Sequence, residues 1–266
     1  MENNQIVDKN KMRQLDQLTI EKRGITSYDL MVHVGKKIAN YVINEKIVTA
    51  RDDIIVIAGM GNNGGDALVM AKHFYDNGLI PLIILVGNKK SQSPQNSKIF
   101  DRILKTEIEV VFIGEQSVLQ QNTKFFEDAT IIVDGLFGIG ISRDVEGLYK
   151  DTITLMNQSY ASVISIDIPS GIDADSGKVL GTAVHAKHTI IIQNYKQGNL
   201  LNEALDYSDN NHLIDVGIMQ EYFEEYQVML SPKLLFNKVK KRKHHTHKYH
   251  YGYVLTIGGS KGMMGA

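Results

Sequence analysis

The sequence predicts a three-layer α/β fold: a doubly wound, mostly parallel sheet led in by two helices. Three observations predict it. Short apolar runs recur along the chain, each bounded by Gly, Asn or Asp, and windows of helical period lie between several of them. The runs are continuous rather than alternating, as in strands covered on both faces by helices. Right-handed crossovers then wind such units into a Rossmann-like sheet. Taken in order, Asn10–Glu21 and Ser27–Asn44 read as the two leading helices. Ser27 is the expected N-cap of the second, and Leu30, Met31, Val34, Ile38, Tyr41 and Val42 form its apolar stripe. Strands are expected at Ile54–Ala58, Leu82–Val86, Glu109–Ile113, Thr130–Val133, Val163–Ile166 and Thr189–Ile192. Helices are expected at Asp66–Asn77, Gln95–Leu104 and Leu148–Asn157.

Composition narrows the class. The 266 residues are 43% hydrophobic and 22% charged, enough to bury a sizeable core and unlike a disordered chain. The longest apolar runs fall far short of the roughly 18 residues a membrane span requires. Met1–Arg13 is polar, without the apolar centre of a signal peptide. The chain has no cysteine, which excludes disulfide frameworks, cysteine-zinc sites and thiol nucleophiles. A cytoplasmic protein with no membrane partner is expected. The net charge of −1 conceals an asymmetry, because Lys238–Ala266 carries seven Lys/Arg and no Asp/Glu. The preceding body is therefore acidic, which argues against a nucleic-acid partner.

Ligands of doubly wound sheets sit outside the carboxyl ends of the strands, at the switch point. Three strand ends are rich in chemistry: Gly59-Met60-Gly61-Asn62-Asn63-Gly64-Gly65-Asp66, Asp134-Gly135-Leu136-Phe137-Gly138-Ile139-Gly140-Ile141-Ser142-Arg143, and Asp167-Ile168-Pro169-Ser170-Gly171. Gly59, Gly61 and Gly64 spell a dinucleotide fingerprint in its proper context. Yet the next strand ends Gly87-Asn88-Lys89, without the acid that holds ribose hydroxyls, and Asp66 would face the anion. A plain nicotinamide dehydrogenase is thus disfavoured, and the glycines alone are equally compatible with a tight strand-to-helix turn. Asn63, Asp134 and Ser170 offer hard oxygens suited to a monovalent cation, or are simply solvated loop polars. Asp167 is either a partly desolvated general acid or base, or a turn cap for nearby amides. No Ser/His/Asp nucleophile is visible: Ser170 lacks an elbow motif, and His33, His73, His185, His188 and His212 are scattered.

Together these three ordered motifs resemble the NAD(P)H-hydrate epimerase family, which is also the N-terminal half of the bifunctional nicotinamide-nucleotide repair enzyme. Gly24–Gly35 is similar to that family's helix-start segment, Ser142–Gly147 continues its third motif, and Asp215-Val216-Gly217-Ile218 resembles its closing strand. The likeness covers roughly residues 10–220, giving an expected epimerase domain over residues 1–230. The segment from His247 to Ala266 resembles the opening of the ATP/ADP-dependent hydrate dehydratase domain. Residues 231–247 then read as a basic linker and 248–266 as an incomplete ribokinase-like start, too short to fold, so the sequence is expected to be truncated and to lack dehydratase activity. A nucleic-acid patch or a metal site at His244, His245 and His247 is the alternative for this stretch.

The resemblance implies an isomerase that interconverts the S and R forms of hydrated NADH and NADPH, with potassium as cofactor and a homodimer as assembly. It implies substrate contacts at Asn62, Asn63, Gly64, Gly65 and Asp66, and at Gly138, Ile139, Gly140, Ile141, Ser142, Arg143 and Asp144. Asp167 is implied as substrate-binding and catalytic, and Asn63, Asp134 and Ser170 as potassium ligands. The chain departs from the family pattern at Ala67, where glycine is usual, and at Val32-His33-Val34, where Glu-Asn-Ala is usual. A noncatalytic nucleotide-binding scaffold and an NAD-dependent oxidoreductase are the competing readings.

Overall fold

The structure, a computed structural model, describes residues 5–220 and 227–228. The expected linker at 231–247, the segment 248–266 and His244, His245 and His247 lie outside the described residues. In chain order the elements are β1 (Gln5–Val7), α1 (Lys9–Arg23), α2 (Ser27–Asn44), β2 (Ile54–Ala58), α3 (Asn62–Asp76), β3 (Pro81–Val86), α4 (Pro94–Ile103), β4 (Val110–Ile113), α5 (Gln116–Gln121), α6 (Lys124–Asp128), β5 (Ile131–Gly135), α7 (Gly147–Gln158), β6 (Ser162–Ile166), β7 (Ala186–Ile192), β8 (Tyr195–Lys196), β9 (Ser208–Ile214) and β10 (Gln227–Val228).

Seven strands pair in the order β4-β3-β2-β5-β6-β7-β9, all parallel. The pleat divides each buried strand between two layers. Ile54, Val56 and Ala58 of β2 face the core shared with α1 to α4; Ile55 and Ile57 face the one shared with α5, α6 and α7. That division explains why the β2 sequence is apolar at every position. From β2 the chain winds outward through β3 to β4, then returns to place β5 on the other side of β2. The switch point therefore lies between the carboxyl ends of β2 and β5.

The differences from the sequence reading are local. Thr26, not Ser27, caps α2, in a reciprocal box with Asp29: Asp29 N–H donates to Thr26 Oγ1 at 3.1 Å and Thr26 N–H to Asp29 Oδ2 at 3.0 Å. The closing strand is β9, and Asp215–Ile218 follows it as irregular chain. Polar Asp209, Asn210 and Asn211 hide β9 from a search for apolar runs, because an edge strand needs only one neighbour. A small second sheet, β10-β1-β8, was also missed, its strands being only two or three residues long.

Removing the cap at α2 leaves a helix-end amide without its acceptor. Thr26→Ala is expected to cost about 1 kcal/mol. Thermal denaturation followed by circular dichroism would register this as a fall of roughly 2–4 °C in Tm.

Candidate active site

The switch point opens into a cleft of about 590 Å³. Its walls come from α1, the starts of α2 and α3, and the Leu136–Arg143 loop, with Asp167 and Ile192 at the ends of β6 and β7. The glycines that bring these parts together do so by backbone contact. A Cβ on Gly59 would lie 2.0 Å from the Leu136 carbonyl oxygen, and one on Gly64 would lie 1.9 Å from the Gly59 oxygen. Asn96, fully buried on α4, donates to the carbonyls of Gly59 at 2.9 Å and Gly61 at 2.8 Å. This brace fixes the first glycine loop from behind. The cap of α3 is Gly61, which has no side chain to satisfy the leading amides.

Of the residues expected at the substrate, Asn62, Asn63, Asp66, Gly138, Ile139, Gly140, Ile141, Ser142, Arg143 and Asp167 line the cleft. Gly64, Gly65 and Asp144 do not. Gly64 and Gly65 are buried packing positions, Gly65 beneath Met31 of α2, and Asp144 is exposed, beside Gly181. Burial, reinforced by the nearby Asp167 and Asp16 charges, holds the Asp66 carboxyl well above the usual carboxylate range. The upward shift lessens the charge that Asp66 would set against an anion, which weakens the sequence-based objection to its position. The Val32-His33-Val34 segment puts Val34 on the cleft wall, while His33 Nε2 meets the Val216 carbonyl at 2.9 Å. None of the five scattered histidines lines the cleft; His188 and His212 pair with each other across β7 and β9.

Asp167 has a left-handed backbone, φ +68°, unusual for a residue with a side chain. The surroundings over-determine it: its N–H donates to Ile190 O at 2.9 Å, and Asn199 Nδ2 donates to its carbonyl at 3.2 Å. Its Oδ1 accepts the Ile192 amide at 3.0 Å and an ion-paired hydrogen bond from Lys196. The Lys196 side chain is 0% exposed and that of Asp167 10%. Asp167 thus accepts a backbone amide, as a capping residue does, and also lines the cleft.

Asp134, fully buried, organises the neighbouring loops. Its Oδ1 accepts from Ser170 Oγ at 2.5 Å and Leu136 N at 3.2 Å, its Oδ2 from Ser165 Oγ at 2.7 Å and Ser170 N at 2.9 Å. Asn63 Nδ2 donates to the Phe137 carbonyl at 2.8 Å, and Ser170 Oγ lies 3.1 Å from the same oxygen. Asn63 and Ser170 therefore converge on the Phe137 carbonyl, and Ser170 links it to Asp134. Burial raises the Asp134 pKa, although the hydrogen bonds from Ser170, Ser165 and Leu136 oppose it. Among the described residues no cationic side chain pairs with it. This all-oxygen donor set around an unneutralised buried carboxylate fits a potassium ion.

Sequence reasoning missed four contributors. Asp16 and Arg13 reach the cleft from α1, and burial pushes the Asp16 carboxyl up to about 6, against the nearby Lys196 charge and with that of Asp167. Lys196 and Asn199 come from the turn after β7. A usable signal existed for Lys196: it stands four residues beyond an apolar strand that ends at the ligand-binding rim.

Comparison with known proteins gives one consistent answer. A family described as YjeF-related protein N-terminus matches residues 27–198. The chain is 35% identical over 205 residues to an NAD(P)H-hydrate epimerase of Limosilactobacillus reuteri, covering 77% of this chain and 92% of that one. It is 30% identical to a bifunctional NAD(P)H-hydrate repair enzyme of Thermofilum pendens over 258 residues, 96% of this chain but 48% of that one. The chain thus spans about half the length of such bifunctional relatives. The crystal structure of yeast ynu0 superposes with a TM-score of 0.66 at 18% identity, covering 84% of this chain and 99% of that one, a likeness of fold.

Lys196→Met is expected to leave Asp167 as an unpaired buried charge and to destabilise the protein by about 3–5 kcal/mol. The double variant Lys196→Met, Asp167→Asn is expected to regain much of that loss. Urea denaturation of the wild type, both single variants and the double completes the cycle; strict additivity would mean that the pair is not coupled.

Proposed function

The chain belongs to the family of YjeF-related protein N-termini, and on that premise we propose that it is an isomerase of nicotinamide-nucleotide repair, interconverting the S and R forms of hydrated NADH and NADPH. The observation that carries this reading is the Asp167 carboxylate, pinned by Lys196 and the Ile192 amide at the rim of a cleft at the switch point. The named epimerases of similar length support it. The sheet also lacks a carboxylate after β3, where Gly87-Asn88-Lys89 stands, as an ordinary dinucleotide oxidoreductase would require.

The chemistry suits these residues. The substrate carries a hydroxyl on the ring carbon beside the ring nitrogen. The nitrogen lone pair expels the hydroxyl, giving a planar iminium, and water returns to the other face. Asp167, ion-paired with Lys196, accepts the proton of the returning water and, as an acid, gives it back in the reverse direction. The Asn62–Asp66 and Gly138–Arg143 loops orient the ring and ribose-phosphate. Arg13 and Arg143 on the cleft wall supply positive charge suited to the pyrophosphate. Asn63, Asp134 and Ser170, with the Phe137 carbonyl, would hold potassium, which supplies orientation and positive charge when bound. The same proposal includes a cytoplasmic homodimer, with a dehydratase domain as partner in the bifunctional arrangement.

Asp167→Asn is expected to abolish epimerisation, by about 100-fold or more, and because it also leaves the buried Lys196 ammonium without its carboxylate, the rate is read on protein shown by circular dichroism to be folded. Chiral chromatography of purified S hydrate, followed over time, reads the approach to the mixture of epimers; wild-type rates in this variant would overturn the assignment. Exchanging potassium for choline is expected to lower kcat/KM by about 10- to 100-fold, restored saturably by potassium chloride. A rate indifferent to the cation would remove potassium from the proposal.

A further inference from the structure

We propose that Asp16 of α1 is the second proton-transfer group of the epimerisation, acting as the acid when Asp167 acts as the base and exchanging roles for the opposite epimer. The inference rests on the epimerase reading above.

Inversion through a planar cation handles protons on two faces. On one the departing oxygen takes a proton; on the other the returning water releases one. Asp167 is poorly placed to do both, because the Ile192 amide, Lys196 and a left-handed backbone fix its carboxylate. A second group must come from another wall.

The cleft offers few choices. Arg13 and Arg143 remain charged at any working pH. Tyr149 is held higher than an ordinary phenol by burial and is a poor acid-base group at neutrality. Burial shifts Asp66, from α3, well upward, which favours its protonated form as a hydrogen-bond donor. Asp16 remains. Met12, Asp16 and Ile20, four residues apart, form one stripe of α1 on the cleft wall, so this carboxylate stands between two apolar side chains. No hydrogen bond or ion pair ties it to another described residue, so its position contributes nothing evident to folding. A mid-helix carboxylate on an inward apolar stripe violates the pattern the fold needs, and such violations mark functional positions. The groups facing it are Lys196, Asp167 and Asp66, with Arg13 and Arg143 at the same cleft. Their balance leaves Asp16 near pH 6, where both its forms are accessible.

The step balances without a further reactant. The ring C–O bond breaks as the oxygen takes the Asp16 proton and leaves as water, while the nitrogen lone pair becomes the second bond of the iminium. Water then bonds to the same carbon from the other face and yields a proton to Asp167. Asp16 ends ionised and Asp167 protonated, the state required for the reverse epimerisation.

The test follows the relaxation of pure S hydrate by chiral chromatography from pH 5 to 8, with wild type, Asp16→Asn, Asp16→Ala and Asp167→Asn. Asp16→Asn is expected to lower kcat by about 100-fold or more, with KM little changed. Wild-type kcat/KM is expected to fall above pH about 6 as the acid is lost, and this limb is expected to vanish in Asp16→Asn. Added formate is expected to restore part of the Asp16→Ala rate, a rescue that a purely structural role would not allow. An Asp16→Asn enzyme within about threefold of wild-type kcat, or an Asp16→Ala enzyme that formate leaves unchanged, overturns the proposal while Asp167→Asn stays inactive. An active Asp167→Asn enzyme, or a wild type that does not accelerate epimerisation, overturns the epimerase reading itself and this proposal with it.

Discussion

The buried ion pair between Lys196 and Asp167 is the constraint on which the site depends. An ammonium with no solvent exposure costs several kcal/mol of lost hydration unless a carboxylate meets it with further hydrogen bonds. Lys196 satisfies that requirement by donating to Asp167 and, at 3.0 Å, to the Ile192 carbonyl. The partner must then sit where the lysine can reach, which holds Asp167 in a left-handed conformation that a side chain otherwise avoids. The small sheet contributes as well. β8, which carries Lys196, is paired with β1, and Asn194 donates to the Gln5 carbonyl at 3.2 Å. The amino-terminal strand therefore buttresses the rim of the cleft from outside the main sheet.

That single charge also sorts the neighbouring carboxyls. Asp167 is held beside the ammonium in a buried ion pair. Its negative charge in turn raises Asp16 and Asp66, which burial already disfavours as anions. Asp16 of α1 and Asp66 of α3 are thus both shifted upward within the cleft that Asp167 lines. Chemically similar side chains acquire different tasks because their environments differ.

The architecture was legible because its signals are local. Continuous apolar runs located β2 to β7, and glycine-rich strand ends located the switch point, since both follow from burial and backbone approach. The chemistry of the first, fourth and fifth sequence loops was legible for the same reason, as each places its polar residues directly after a strand. What was not legible depends on long-range pairing. Asp16 lies 151 positions before Asp167 in the sequence, inside a helix whose stripe reads as ordinary amphipathic patterning. Asn96 looks like one polar residue of α4 until its donors meet Gly59 and Gly61. β9 failed the apolar test because half of it faces water, and Ser27 displaced Thr26 as the expected cap because both are good acceptors and only the Asp29 reciprocity distinguishes them.

The distribution of charge in the cleft fits a reaction whose intermediate is a cation. An oxyanion-forming enzyme would aim amides and cations at the reacting centre. Here Asp16 and Asp66 are grouped with Asp167, and the Lys196 ammonium beside them is turned to Asp167. The arginines lining the cleft, Arg13 and Arg143, belong to α1 and to the loop after β5, so positive charge is available for phosphates without facing the iminium alone. Asp134 is set apart from this group by its own shell of hydroxyls and amides, donated by Ser165 and Ser170. Under the proposed function, a doubly wound fold with a dinucleotide-type glycine loop would support inversion of a carbon centre in place of hydride transfer: the loop would accommodate the nucleotide, while the end of β6 would supply the acid-base chemistry.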